Sequence, residues 1–363
     1  MNKILLFVMS FLLIHYFALS QTPANDPHWQ LVWEDNFNGT SVNTSKWDFN
    51  YPWTNCDGKK THLTSHGGNH NFSNGIIKLV SKKIKSICYD WNGASYNTDY
   101  TSGGLFSKEA FKYGYFEVRC KMPELSNSSY TGKGFAPAFW MLPYWDNCYA
   151  GTVTYSEIDI FEIDAEDNLH TCNIHYEDRT MSSMWHMRPS PNSIYDFNIN
   201  FTNFHKFSGE WTSKFINFYY DDQLIRASNT EYASKLIPMN IILGIATPAG
   251  NFQKNFVNNS LFPYGFEIDY VRIYHLKCDG NTVVNEISNF NTYYYAVKRS
   301  ITMSNATTIP TGKDIFLRAT DFIELKPGFE VPLGTMLFLA TTPCDDGVVL
   351  DIHGENVPIK PID

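Results

Sequence analysis

Apolar and polar residues alternate along most of this chain in short runs. Residues 115–122 set Phe116, Val118, Cys120 and Met122 on one side and Tyr115, Glu117, Arg119 and Lys121 on the other. That is the period of two expected of a β-strand. Residues 215–220 and 223–226 read as two strands joined by a tight turn at Asp221-Asp222. Residues 266–274 form a further aromatic and β-branched run. Clusters of Asn, Gly, Ser and Pro at 65–71, 126–134 and 190–193 punctuate these runs, and sustained helical periodicity is absent. The pattern predicts an all-β chain, a sandwich or jelly roll built from many short strands.

Residues 1–20 break this texture. One lysine precedes an apolar run over residues 4–17, and Ala18-Leu19-Ser20 closes it with small residues at the −3 and −1 positions. This predicts a secretory signal peptide cleaved after Ser20, because the run is short for a membrane span. No other stretch is long and apolar enough to cross a membrane, so the protein is expected to be secreted, extracellular or periplasmic, or held at the cell surface. Of 363 residues, 43% are hydrophobic and 16% aromatic, which excludes a disordered chain. The net charge of −9 argues against nucleic acid as the main partner, which would call for a basic face. Low charge with abundant Trp, Tyr and Phe suits neutral ligands that stack on aromatic faces, sugars above all. Seven cysteines in an oxidising compartment should pair in part, with at least one left over.

The texture changes again near Cys278-Asp279-Gly280. Beyond it tryptophan disappears and short Ile, Leu and Phe strands follow. This predicts a main domain over 21–278 and a small β-rich module over 279–363, which a Cys278–Cys344 disulfide would bracket.

The candidate chemistry lies in residues 156–163, Ser-Glu-Ile-Asp-Ile-Phe-Glu-Ile. In a strand, Glu157 and Asp159 share a face, but Glu162, five residues beyond Glu157, points the other way. One bulge residue between Asp159 and Glu162 would shift the phase and bring all three acids to one surface. Like charges so close make sense if their pKa values are pushed apart. Retaining glycoside hydrolysis needs such a pair, a carboxylate that attacks the anomeric carbon and a protonated one about 5–5.5 Å away. Neighbouring positions on one face lie about 6.5–7 Å apart at the backbone, so Glu157 and Glu162 would lean together over Asp159. Spacing alone leaves open a solvent-facing acidic strand or a carboxylate calcium cluster. Upstream, residues 135–145 are dense in aromatics, including Trp140 and Trp145, which suit either a core or a sugar platform.

Together these blocks resemble glycoside hydrolase family 16. Glu157-Ile158-Asp159-Ile160-Phe161-Glu162 looks like its active-site signature in bulged form. Thr101-Ser102-Gly103-Gly104 with residues 113–119 and Ala138-Phe139-Trp140-Met141-Leu142-Pro143 are similar to blocks that precede it. His205 with Gly209-Glu210-Trp211, then residues 216–219, then 268–274 follow in the family's order, so the resemblance covers about residues 29–275. It implies a β-jelly-roll of two curved antiparallel sheets with an open polysaccharide cleft. It also implies endo-acting cleavage with retention, and a monomer is expected. By position Glu157 matches the nucleophile, Asp159 the helper carboxylate and Glu162 the acid/base. Trp140, Trp145 and His175 fall where the family binds substrate. No cofactor is expected for catalysis. Family members often hold one structural calcium, and Gly75 and Asp269 fall near the matching positions. Where the family often has Asp-Glu-Phe, this chain has Asp35-Asn36-Phe37. Residues 323–331 with Gly334-Thr335 and Cys344 resemble small β-stack modules that end many secreted bacterial proteins.

The reading expected of the whole is a glycosidase on a β-linked polysaccharide, with a β-1,3-glucan of laminarin type first. Loops 52–71 and 180–191 should shape the cleft ends and could favour an agar-like or carrageenan-like galactan. Arg179 and Arg188 stand ready in or beside the second for a sulfated one. A non-catalytic glycan-binding lectin on the same fold is the other class, and it would have no need of all three acids.

Overall fold

The computed structural model describes residues 22–23, 29–57, 60–90, 92–122, 135–143, 155–164, 169–177, 194–195, 203–229, 233–246, 259–276, 278–279, 282–284, 297–303, 311, 314–341 and 347–350. The expected export segment, 1–20, lies outside them, as does Cys344 of the expected Cys278–Cys344 bridge. Among the described residues no helix is long and apolar enough to cross a membrane.

Two eight-stranded antiparallel sheets form the body. The back sheet runs β18 (Gln223–Asn229), β17 (Phe215–Tyr220), β16 (His205–Trp211), β11 (Gly114–Lys121), β20 (Tyr264–Leu276), β6 (Ile76–Ser81), β5 (His70–Ser73), with β1 (Trp29–Asp35) also on β20. The front sheet runs β15 (Ile194–Tyr195), β14 (Leu169–Glu177), β13 (Tyr155–Asp164), β12 (Ala136–Leu142), β19 (Met239–Ala246), β10 (Gly104–Lys112), β2 (Trp47–Asp48), with β26 (Val348–Leu350) also on β10. Beside them lie β3 (Cys56–Asp57) with β4 (Thr61–Leu63) and β9 (Tyr100–Ser102), and the hairpin of β7 (Ser86–Tyr89) and β8 (Ser95–Thr98).

The period-two pattern places the core. Phe116, Val118 and Cys120 of β11 point inward with Phe207, Phe218 and Phe266 of the back sheet. They meet Phe139, Met141, Ile158 and Ile174 of the front sheet, the sandwich packing of two half-apolar sheets. Residues Asp221 and Asp222 both take positive φ, 44° and 65°, as the expected two-residue hairpin requires. The outer face of β11 is covered in part as well. Tyr115 and Glu117 are buried there, because Trp29, Tyr115, Tyr219 and Leu276 form a second aromatic cluster outside the sheet.

The C-terminal residues form a parallel sheet, β21 (Cys278–Asp279), β23 (Val297–Met303), β24 (Asp314–Leu325) and β25 (Met336–Thr341), with β22 (Thr282–Val284) on β23. Its small core is Ile301, Met303, Leu317 and Ala319. After β25 the chain returns, and β26 pairs Val349 with Phe111 of the front sheet and buries it in the main core.

Candidate active site

The site is built on an irregularity in β13. Against β14, Asp159 pairs with Asn173 and Glu162 with Thr171, so three steps on β13 match two on its neighbour. Against β12, Asp159 pairs with Trp140 and Phe161 with Phe139, which leaves Ile160 as the extra residue. Ile160 and Phe161 therefore both face the interior, each about 1% exposed or less. The phase shifts by one, and Glu157, Asp159 and Glu162 share the outer face of the front sheet.

Register fixes what surrounds them. The row through Asp159 reads Asn173, Asp159, Trp140, Ile242, Phe106. The row through Glu162 reads Thr171, Glu162, Ala138, Gly244, Gly104. One side is thus tall and apolar, while the other is a floor of minimal side chains. A Cβ placed on Gly244 would meet nothing within 4 Å.

Asp159 is 1% exposed, and Nε2 of His175 donates to its Oδ2 across 3.0 Å. Its Oδ1 is buried with no hydrogen-bond partner. A buried carboxylate oxygen without a donor is costly, and a protonated Glu157 carboxyl would supply one. Burial first, then the charges of Asp159 and Glu162, push the Glu157 carboxyl well above the usual range. A proton held on Glu157 relieves the repulsion between these close like charges.

Trp140, half-buried, stands in the row of Asp159. Tyr51 meets it edge-on at 6.0 Å and stacks on Trp53 at 5.2 Å, and Trp53 stands edge-on to Phe106 at 6.1 Å. Burial and then the charges of Asp57, Glu157 and Glu162 hold the Tyr51 hydroxyl protonated, which places that ring in the field of the site. Asp57 itself is pushed up to about 6 by burial. A Cys56–Cys88 disulfide ties this loop to the β7–β8 hairpin, and Tyr89 N donates to Asn55 Oδ1 at 2.7 Å. Tyr51 and Trp53 were not singled out from sequence, although their loop was. The density of aromatics in Tyr51-Pro52-Trp53 was the available signal.

Trp145, Arg179 and Arg188 lie outside the described residues. Gly75 turns the chain before β6 at φ 74°, where a Cβ would lie 2.8 Å from Asn38 Oδ1. The Asp269 carboxylate is in an ion pair with Arg119. Among the described residues, the acidic and imidazole groups that converge are Glu157, Asp159 and His175, with ligand atoms within 4.8 Å. Two of them, Glu157 and Asp159, are candidate catalytic residues, and His175 was expected at the substrate.

A family model described as glycosyl hydrolases family 16 matches residues 57–271, more than half of the chain. The chain is 29% identical over 276 residues to glucan endo-1,3-beta-glucosidase A1 of Niallia circulans, covering 67% of this chain and 37% of that protein. It is 27% identical over 280 residues to the kappa-carrageenase of Pseudoalteromonas carrageenovora, covering 69% and 68%. Among solved structures, the laminarinase of Flavobacterium sp. UMI-01 is 26% identical with a TM-score of 0.51, covering 68% of this chain and 100% of that one. The chain thus spans little more than a third of the first relative and about two thirds of the second.

Proposed function

Because this chain belongs to glycosyl hydrolases family 16, we propose that it is a secreted endo-glycosidase that cleaves a β-linked polysaccharide with retention. The observation that carries the reading is the bulge at Ile160, which gathers Glu157, Asp159 and Glu162 on one face. In the reactive form Glu157 has given up its proton and is ionised. A Glu157 oxygen bonds to the anomeric carbon as the glycosidic C–O bond breaks. Glu162 gives its proton to the leaving oxygen. Water then attacks the glycosyl ester, Glu162 takes its proton, and Glu157 leaves as the carboxylate. His175 keeps Asp159 oriented, and Trp140, Tyr51 and Trp53 offer stacking faces beside the acids.

A β-1,3-glucan is the first substrate, supported by the Niallia and Flavobacterium relatives. A galactan is the second, supported by the carrageenase, which matches at similar identity over a larger share of its length. Retention of all three acids supports catalysis over a lectin role. Export rests on residues 1–20 and predicts a mature N-terminus at Gln21. The test is reducing-end release from laminarin, mixed-linkage β-glucan, agarose and kappa-carrageenan, with proton NMR of the first products. Oligosaccharides that appear first as the β-anomer support the reading. Folded protein that releases nothing from any of the four, or gives the α-anomer first, overturns it.

A further inference from the structure

The extra residue of the bulge has to go somewhere. Ile160 points away from the acids, across the sandwich, toward β16 of the back sheet. There it meets Gly209: a Cβ on that glycine would lie 3.1 Å from Ile160 Cγ1 and 3.3 Å from Cδ1. Gly209 sits at an inward position between Phe207 and Trp211 on its own strand. Its cross-strand neighbours are Phe116 and Phe218. All four flanking side chains are large and buried in the core. The missing side chain therefore makes a notch in an otherwise filled surface, and Ile160 fills it. Next to it Phe161 packs on Phe207 with ring centres 4.2 Å apart. Gly209 lies in a regular strand with no positive φ. Its backbone suits any residue, so the absence of volume is what matters here rather than conformational freedom.

We propose that Gly209 is a positioning residue for Glu162. By leaving room for Ile160 it lets two successive residues of β13 face inward. That double inward step is what turns Glu162 outward beside Glu157 and Asp159. A side chain at 209 would press on Ile160 from behind, lift the bulge and displace the proton donor while leaving Glu157 on its regular stretch. This rests on the reading of Glu162 as the acid/base.

Gly209→Ala, Gly209→Val, Ile160→Ala and the volume-conserving pair Gly209→Val with Ile160→Ala form the test. Each is assayed by kcat/KM on the polysaccharide the wild type cleaves fastest and on the 2,4-dinitrophenyl glycoside of its disaccharide, whose leaving group needs no proton. General acid catalysis contributes about 10²–10⁴-fold. Gly209→Val should therefore lose about 100-fold on the polysaccharide and far less on the aryl glycoside. The basic limb of its pH profile should shift, and the paired variant should regain most of the loss. Should Gly209→Val fail to fold, Gly209→Ala is expected to show the same selective loss in milder form. Equal losses on both substrates, or a lowered Tm with an unchanged pH profile, would mean that Gly209 only packs the core, and the proposal falls. Glu162→Ala is the control. If it too spares the ratio between the two substrates, the assignment of Glu162 has failed, and the role of Gly209 goes with it.

Discussion

Nε2 of His175 lies 3.0 Å from Oδ2 of Asp159, although on the adjacent strand His175 stands opposite Glu157, two residues from the partner of Asp159. The carboxylate is buried and the imidazole reaches it from the rim. This contact orients the middle acid, whose other oxygen is buried without a hydrogen-bond partner. His175→Ala should leave a buried carboxylate short of a donor, a loss of about 1–3 kcal/mol for an unsatisfied group. We expect kcat/KM to fall about 10–100-fold. His175→Gln, which can still donate, should lose less. Identical losses in both variants would show that the ring packs rather than orients.

Glu157→Gln should lose several orders of magnitude in hydrolysis with the fold intact, since the attacking charge is gone. It should also be more stable than the wild type near neutral pH. Burial and the charges of Asp159 and Glu162 raise the folded pKa of Glu157. The folded chain thus keeps a proton that the unfolded chain releases above about pH 4.3. The contribution of Glu157 to wild-type stability is fully present below that pH and is lost as pH rises toward the folded value. Glutamine has no proton to lose. Thermal melts at pH 4 and pH 7 should show the two proteins converging at the lower pH and diverging at the higher.

Glu162→Ala should retain attack on an activated aryl glycoside and stall at the glycosyl ester. Added azide needs no base, so it should displace Glu157 from the anomeric carbon and yield a β-glycosyl azide. Recovery of the α-azide, or none, would contradict both the acid/base role and the double displacement.

The Cys56–Cys88 bridge, spanning 32 residues, should contribute about 3–4 kcal/mol by restricting the unfolded chain. It also anchors the loop of Tyr51 and Trp53. Replacing both cysteines by serine should lower Tm and raise KM on polymer more than it lowers kcat. Trp53→Ala should reproduce the KM effect with little change in Tm. An unchanged KM in both would remove the stacked pair from the substrate path.

The return of the chain at β26 gives an acid-sensitive contact. His275 is buried, and burial lowers its pKa to about 4. A Cβ on Gly347, just before β26, would lie 2.2 Å from its ring. The unfolded histidine takes up a proton below about pH 6.5 and the folded one does not. The contribution of His275 should therefore be fully present above pH 6.5 and fall by about 3 kcal/mol on the way to pH 4. Gly347→Ala should lower Tm at every pH by wedging β26 off β10. Removal of residues 347–363 should destabilise the front sheet rather than leave it intact, as denaturant titration of the shortened chain would read.

Much of this was legible in the chain because a strand writes its faces into alternate residues. Phe116, Val118 and Cys120 announced the core side of β11, and Asp221-Asp222 announced a hairpin. The three acids announced a bulge, since without one Glu162 would face the core. What covers the outside of a sheet is not written locally, so the burial of Tyr115 and Glu117 could not be read from β11 alone. Cysteine pairing was equally out of reach: Cys56 and Cys88 meet only because two loops are brought together.

The sequence by itself determined that the chain is a stack of short strands carrying three carboxylates at one point, because periodicity and spacing are properties of a few consecutive residues. The tertiary structure decided which residue is extra and where it goes. Ile160 could be identified only from its two neighbouring strands, and its room was found on Gly209, 49 positions away on the opposite sheet. It also decided that Tyr51 and Trp53 join Trp140, that Arg119 holds Asp269, and that residues 348–350 close the front sheet. Each of these depends on volume and charge meeting across the sandwich or between loops. Those distances are set by the packing of whole sheets and leave no periodic trace in the chain.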